Sequence, residues 1–126
     1  MGGVKMFTPR YRIIYVASPY RGNFFKRLRN IHYARKCSLA VWDSGNFPIT
    51  PHLLYPQFLP ETARWIILKS LLRICDELWA FVDYGLTPGI IEEIEIFKQA
   101  GKPVILLSVK DIWDIKEIHA RYFNPR

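Results

Sequence analysis

The chain has 126 residues, half of them apolar and 15% aromatic, and a formal charge of +7 at pH 7. That length implies one domain, 1–126, burying roughly two thirds of its unfolded surface, and the apolar content excludes global disorder. No apolar run approaches the ~18 residues of a membrane span and no signal-like apolar stretch opens the chain, so a soluble, cytoplasmic protein with no membrane partner is expected.

The charge is unevenly placed. Residues 1–42 hold nine of the 18 Lys and Arg and no acid, whereas residues 43–126 hold nine bases against eleven acids. A basic third fits nucleic acid, a phosphorylated small molecule or a solvated helix face. Cys37 and Cys75 form no paired motif, and His32, His52 and His119 lack ligand spacing. Neither a metal nor a disulfide is expected, and both cysteines are assigned to the core.

In chain order, residues 1–10 are read as a flexible lead-in. Tyr11–Ala17 (YRIIYVA) is short, apolar and closed by turn residues, as a buried parallel strand would be. From about Asn23 to Val41 the residues Leu28, Ile31, Ala34, Ser38 and Val41 recur at spacings of three and four, which predicts an amphipathic helix. Gly45 and Asn46 end it. FPITPHLL then reads as a short strand or extended segment fenced by prolines. Pro60–Ile74 has helical spacing, with Ala63, Ile67, Ser70, Leu71 and Ile74 on one face.

ELWAFV (Glu77–Val82) is the next strand, and the loop DYGLTPG follows. Thr87 is placed as an N-cap with Pro88 at N1, opening a helix to about Ala100, and Gly101 fits the C′ position. PVILLSV (Pro103–Val109) is another apolar strand, and DIWDIKEIHARYF closes the chain as a short helix.

Alternating strands and helices predict a Rossmann-like or flavodoxin-like three-layer α/β domain with a mainly parallel sheet of four to five strands. Such sheets bind ligands beyond the carboxyl ends of their strands, where three loops converge here: SPYRG, TPHLL and DYGLTPG. Ser18, Pro19, Tyr20, Arg21 and Gly22 combine a hydroxyl, a forked cation and a flexible residue, which suits a phosphate or sugar hydroxyl; a tight turn with a surface arginine explains them equally well. Glu93 lies at the border of the buried helix face carrying Ile90, Ile94 and Phe97, as a nucleophile or general acid would, or as a first-turn acid complementing the helix dipole.

Asp83, at the end of its strand, is a candidate ligand to substrate, while Asp76 is assigned to capping the preceding helix or turn. His52 either borders a ligand or bonds backbone. Arg64 either makes a surface salt bridge or binds an anion. The four tryptophans are assigned to the core or a dimer interface, with one aromatic able to stack on a base.

Together the segments IYVASPYRG, FPITPHLLYPQFL, CDELWAF and TPGIIEEIEIFKQAGKPV, with Asn30, Ala34 and Arg64, resemble the nucleoside 2-deoxyribosyltransferase superfamily, and within it a small uncharacterised branch. The resemblance implies a catalytic glutamate four positions after the glycine of the third ligand loop. Here those residues are Gly89 and Glu93. It implies attack on C1′ of a nucleoside, expulsion of the base and a glycosyl ester passed to a second base or to water. A carboxylate suits the oxocarbenium-like transition state.

Two departures stand out: Thr87 occupies a position that is commonly acidic in the transferases, and Glu95 one that is often glycine. The superfamily also includes hydrolases of nucleoside 5′-monophosphates, which the basic SPYRG loop resembles more than a neutral nucleoside pocket. The sequence is therefore read as an N-glycosidase or deoxyribosyltransferase that needs no cofactor and takes a small-molecule nucleoside or nucleotide. In that reading Ser18, Arg21 and Gly22 hold the phosphate or sugar, Asp83 and Thr87 orient the sugar, and His52 and Tyr20 border the base. A non-catalytic nucleotide-binding module is the alternative. Nucleic-acid binding ranks last because no such motif is present. A homodimer or higher homo-oligomer is expected, by resemblance and because four Trp and eight Phe are many for so small a core.

Overall fold

The computed structural model describes residues 11–54 and 59–113. The elements are β1 (Ile13–Ala17), α1 (Phe24–Asp43), β2 (Phe47–Ile49), α2 (Pro51–Leu54), α3 (Glu61–Ile74), β3 (Glu77–Phe81), α4 (Pro88–Gln99), β4 (Val104–Leu107) and α5 (Val109–Ile112). The strands form one parallel sheet in the order β2-β1-β3-β4. The expected three-layer α/β domain is thus present with four strands among the described residues.

Strand alternation explains the layers. In β1, Ile14 and Val16 face one way and join Tyr33, Cys37, Ala40 and Val41 of α1 and Phe81 of β3. Tyr15 and Ala17 face the other way and join Leu71 of α3 and Ile90, Ile94 and Phe97 of α4. Cys37 and Cys75 are both free and buried, one in each cluster. Burial pushes the two thiols up to about 12 and about 11, so neither is a reactive thiolate.

Helix ends follow their local chemistry. Asn23 Oδ1 accepts from the Lys26 amide at 2.9 Å to start α1, and Thr87 Oγ1 accepts from the Ile90 amide at 3.2 Å to start α4, with Pro88 at its first turn. Gly101 follows α4 at φ 73°, the left-handed region expected of a C′ glycine. Lys102 donates to the carbonyls of Leu72 and Cys75, satisfying the C-terminal end of α3.

Several expectations change. The FPITPHLL segment is a strand only over Phe47–Ile49 and then turns into α2, with the Leu53 amide bonded to the Thr50 carbonyl at 3.0 Å. The buried face of α1 is Asn30, Tyr33, Ala34, Cys37, Ala40 and Val41, while Leu28 is half exposed. That helix carries apolar residues on two sides, and Phe24, Phe25, Leu39 and Trp42 lie on the exposed one. On α3, Ser70 and Ile74 are exposed, and Leu68 and Leu72 pack toward the sheet beside Ile67 and Leu71. Asp76 caps no helix: its carboxylate accepts from the Ile13 amide at 2.7 Å and ties β1 to the start of β3. The last strand is shorter than expected, Val104–Leu107, and α5 begins at Val109, so the final predicted helix overlaps it only at Asp111 and Ile112; residues 114–123 of that prediction, and YPQF, lie outside the described residues.

Candidate active site

A cavity of about 470 Å³ opens beyond the carboxyl end of β1, between the SPYRG loop, α2, α3 and the start of α4. That is the size range of small-molecule sites. Its position is dictated by the fold, because β1 lies inside the sheet and the segments after β1, β2 and β3 all end at this edge.

Glu93 lies on the wall formed by α4 and is half buried. One turn places it on the side of α4 that carries Ile90 and Phe97, against β1, where the Tyr15 hydroxyl donates to its Oε2. Burial pushes the Glu93 carboxyl up to about 7; the Tyr15 hydrogen bond opposes this and the neighbouring Glu92 charge adds to it. A carboxyl poised near neutrality beside a cavity is a perturbation that functional sites often carry.

Other lining residues are polar or cationic. Ser18 Oγ is buried and has no hydrogen-bond partner among the described residues, a costly state for a hydroxyl unless a ligand engages it. Arg21 and Arg64 line the same cavity. The Arg64 guanidinium lies 5.3 Å from the Tyr20 ring centroid, and Tyr20 in turn stacks on His52 at 4.4 Å. Burial, together with the Arg64 charge, lowers the His52 pKa to about 4, with a Ser18 backbone hydrogen bond opposing the shift. His52 is therefore a neutral stacking partner at pH 7. Arg64 makes the sharper of its two expected contacts possible, since it faces the cavity.

The chain belongs to the DUF7768 family, a domain of unknown function, whose model matches residues 12–107. No curated protein sequence matches it significantly. Its structure is similar to that of a 2-deoxyribosyltransferase from the psychrotolerant bacterium Bacillus psychrosaccharolyticus, with a TM-score of 0.57 and 21% identity, covering 76% of this chain and 72% of that one. That neighbour is described as a biocatalyst for nucleoside synthesis, and at this identity the likeness establishes a shared fold.

Against this DUF7768 scaffold, the expected site residues divide cleanly. Glu93, Ser18, Tyr20, Arg21, His52, Arg64, Thr87 and Gly89 line the one cavity. Pro19 is buried beneath the loop and Gly22 lines a smaller adjoining pocket. Asp83 is not on the cavity wall. Its carboxylate accepts from the Tyr33 hydroxyl and from the Val109 amide at 3.1 and 3.3 Å, which ties α1 and α5 to the end of β3. An acid at a strand end was expected to face ligand, but these distant donors turn it toward the other side of the sheet. Thr87 spends its hydroxyl on the α4 cap, so it reaches the cavity mainly as a wall.

Sequence reasoning missed Tyr15, Glu61 and Trp65, which also line the cavity. Tyr15 sits inside an apolar run that reads as core. Glu61 lies three positions before Arg64 and four before Trp65 in α3, a spacing that makes it a neighbour of each on the helix surface.

Proposed function

We propose that this protein is an N-glycosidase or deoxyribosyltransferase acting on a nucleoside or nucleoside 5′-monophosphate, with Glu93 as the nucleophile. The observation that carries this reading is the shared cavity: Glu93, held by the Tyr15 hydroxyl, lines it together with the unpartnered Ser18 hydroxyl, Arg21 and Arg64. A carboxylate suits the anomeric carbon; a hydroxyl and guanidinium suit a phosphate. The fold shared with a 2-deoxyribosyltransferase supports the same choice.

In the first step a Glu93 oxygen bonds to C1′ as the C1′–N bond breaks. The bonding pair leaves with the base, which takes a proton from solvent. Water, or a second base in transfer, then attacks C1′ and returns the carboxylate. The Glu93 anion is the reactive form, so base release rises as pH passes through about 7. His52 stays neutral throughout and, with Tyr20, offers a flat surface for a base.

Incubation with each common nucleoside and nucleoside monophosphate, followed by chromatography for free base, tests the reading; no release from any of them overturns it. The raised Glu93 pKa favours a second reading, a nucleotide-binding module, since a protonated carboxyl hydrogen-bonds rather than attacks. Glu93→Gln separates the two, because an enzyme loses turnover while a binder keeps affinity. The proposal includes self-association, supported by the exposed Phe24, Phe25 and Trp42 of α1 and checked by sedimentation.

A further inference from the structure

The buried face of α1 carries one amide, Asn30, which is 2% exposed and does not line the cavity. Both ends of that amide are used. Its Nδ2 donates to the Arg21 carbonyl at 3.3 Å, and its Oδ1 accepts from Arg29 Nη2 at 3.3 Å. A carbonyl can only accept and a guanidinium can only donate, so the two partners fix the orientation of the amide, and no other side chain of its size serves both.

Arg29 is held in turn. Its guanidinium carbon lies 4.1 Å from the centre of the Tyr84 ring, which packs edge-on to Tyr33 at 4.7 Å. The Tyr33 hydroxyl accepts from the Asp83 amide at 3.1 Å and donates to the Asp83 carboxylate. A continuous line of contacts therefore runs from the end of β3 through α1 to the backbone of the SPYRG loop. That loop is also pinned where it enters α1: Asn23 caps the helix, and a Cβ on Gly22 would come within 2.6 Å of Lys26 Cβ. Asn30 supplies the hold ahead of that point, on the Arg21 carbonyl.

What this amide controls is the loop side of the cavity. Ser18, Tyr20 and Arg21 belong to the loop and line the cavity, and the Ser18 hydroxyl is buried without a partner among the described residues. Glu93 and Tyr15 stand on α4 and β1 and bond each other without the loop. Resting on the nucleotide reading above, we propose that Asn30 is a positioning residue for the phosphate end of the ligand. It never meets the ligand; it holds the Arg21 backbone, so that the loop is already shaped when a phosphate arrives and little ordering is left to do on binding. Arg29 and Tyr84 extend that hold to the loop after β3.

The test compares the wild type with Asn30→Asp, which keeps the shape and the Arg29 contact but replaces the donor to Arg21 by an acceptor. Hydrogen exchange of residues 18–23, followed by mass spectrometry, should speed up roughly tenfold, the worth of one buried hydrogen bond, while the β1 amides hold. For base release from adenosine 5′-monophosphate, KM should rise roughly tenfold with kcat and the acid limb near pH 7 unmoved, and KM for adenosine should stay within about twofold. Arg29→Leu, a surface change that leaves the core alone, should give the same pattern at roughly threefold, the scale of an exposed cation–π contact. Unchanged loop exchange in both variants, a fall in kcat without a rise in KM, or equal losses for adenosine and its monophosphate overturns the inference. Its failure and that of the nucleotide reading are distinct. Absence of base release fails the chemistry alone, because the same comparison is then read from the dissociation constants of the two probes by calorimetry. Absence of binding by either probe fails the nucleotide reading and this role with it, whereas unchanged loop exchange removes only the role of Asn30.

Discussion

Two carboxylates stand toward opposite ends of the strands, Glu77 buried and Glu93 half buried, and they are treated differently. At the amino edge Glu77 starts β3, accepts from Arg12 at 3.1 Å on Oε2 and from the Trp79 indole at 2.6 Å on Oε1, and touches no cavity. At the carboxyl edge Glu93 has the Tyr15 hydroxyl on one oxygen and a cavity beyond it. A buried acid supplied with a cation and a second donor is a structural joint, whereas one left with a neutral donor beside empty space keeps an oxygen for chemistry. The same contrast holds for Asp83 and Ser18. Asp83 has three donor contacts that join layers, and Ser18 has none among the described residues.

Removing the charge at Glu93 gives the sharpest break. Glu93→Gln should lower base release by at least about a thousandfold, as loss of a nucleophile does, with the fold intact by circular dichroism. Retention of more than about a tenth of the wild-type rate would place the reacting group elsewhere and end the contrast between the two edges.

Stability should move in the opposite sense. The Glu93 carboxyl titrates near 7 in the folded chain against an ordinary 4.5, so the folded state binds more protons between those values. By linkage, stability is highest below about pH 4.5 as far as this group is concerned, falls as pH rises to about 7, and is level above. The full difference is on the order of 3 kcal/mol. In denaturant titrations Glu93→Gln should match the wild type at pH 4.5 and exceed it at pH 8; equal stabilities at pH 8 would mean that burial does not load this carboxylate.

Tyr15→Phe is predicted to have a smaller effect. The hydroxyl stabilises the Glu93 anion, so its loss should raise the acid limb of the pH–rate profile by about one pH unit or more and cut turnover at pH 7 roughly tenfold. A lower rate with an unmoved limb would assign Tyr15 to packing alone.

Much of this was legible locally. The β-branched apolar runs, the Thr87 cap and the position of Glu93 beside Ile90 and Phe97 are short-range patterns, and the structure keeps them. What was not legible depends on contacts between distant segments. Tyr15 meets Glu93 across 78 positions and Tyr33 meets Asp83 across 50, so neither the donor to Glu93 nor the diversion of Asp83 has a signal in its own stretch. On α1 the expected face holds at Ala34 and Val41, which are buried, and at Ile31 and Ser38, which are partly so, but Leu28 is exposed, because Leu28, Leu39 and Trp42 give the helix apolar residues on the solvent side as well. A helix with two apolar faces has no unique buried stripe until its neighbours are known.

The amino edge supplies the weakest and most specific test. Arg12→Ala strips the cation from Glu77 and leaves the Trp79 indole donor in place. Loss of a partner to a buried charge can cost about 3–5 kcal/mol, but the Arg12 side chain is 67% exposed and water screens and replaces much of it. A loss of about 1 kcal/mol is expected, visible as a melting shift of a few degrees. Turnover and its pH profile should not move, because the ion pair lies at the far end of the strands from the cavity. If Arg12→Ala shifted the acid limb as Tyr15→Phe does, the two edges would be electrostatically coupled, and the division of labour between joint and site would fail.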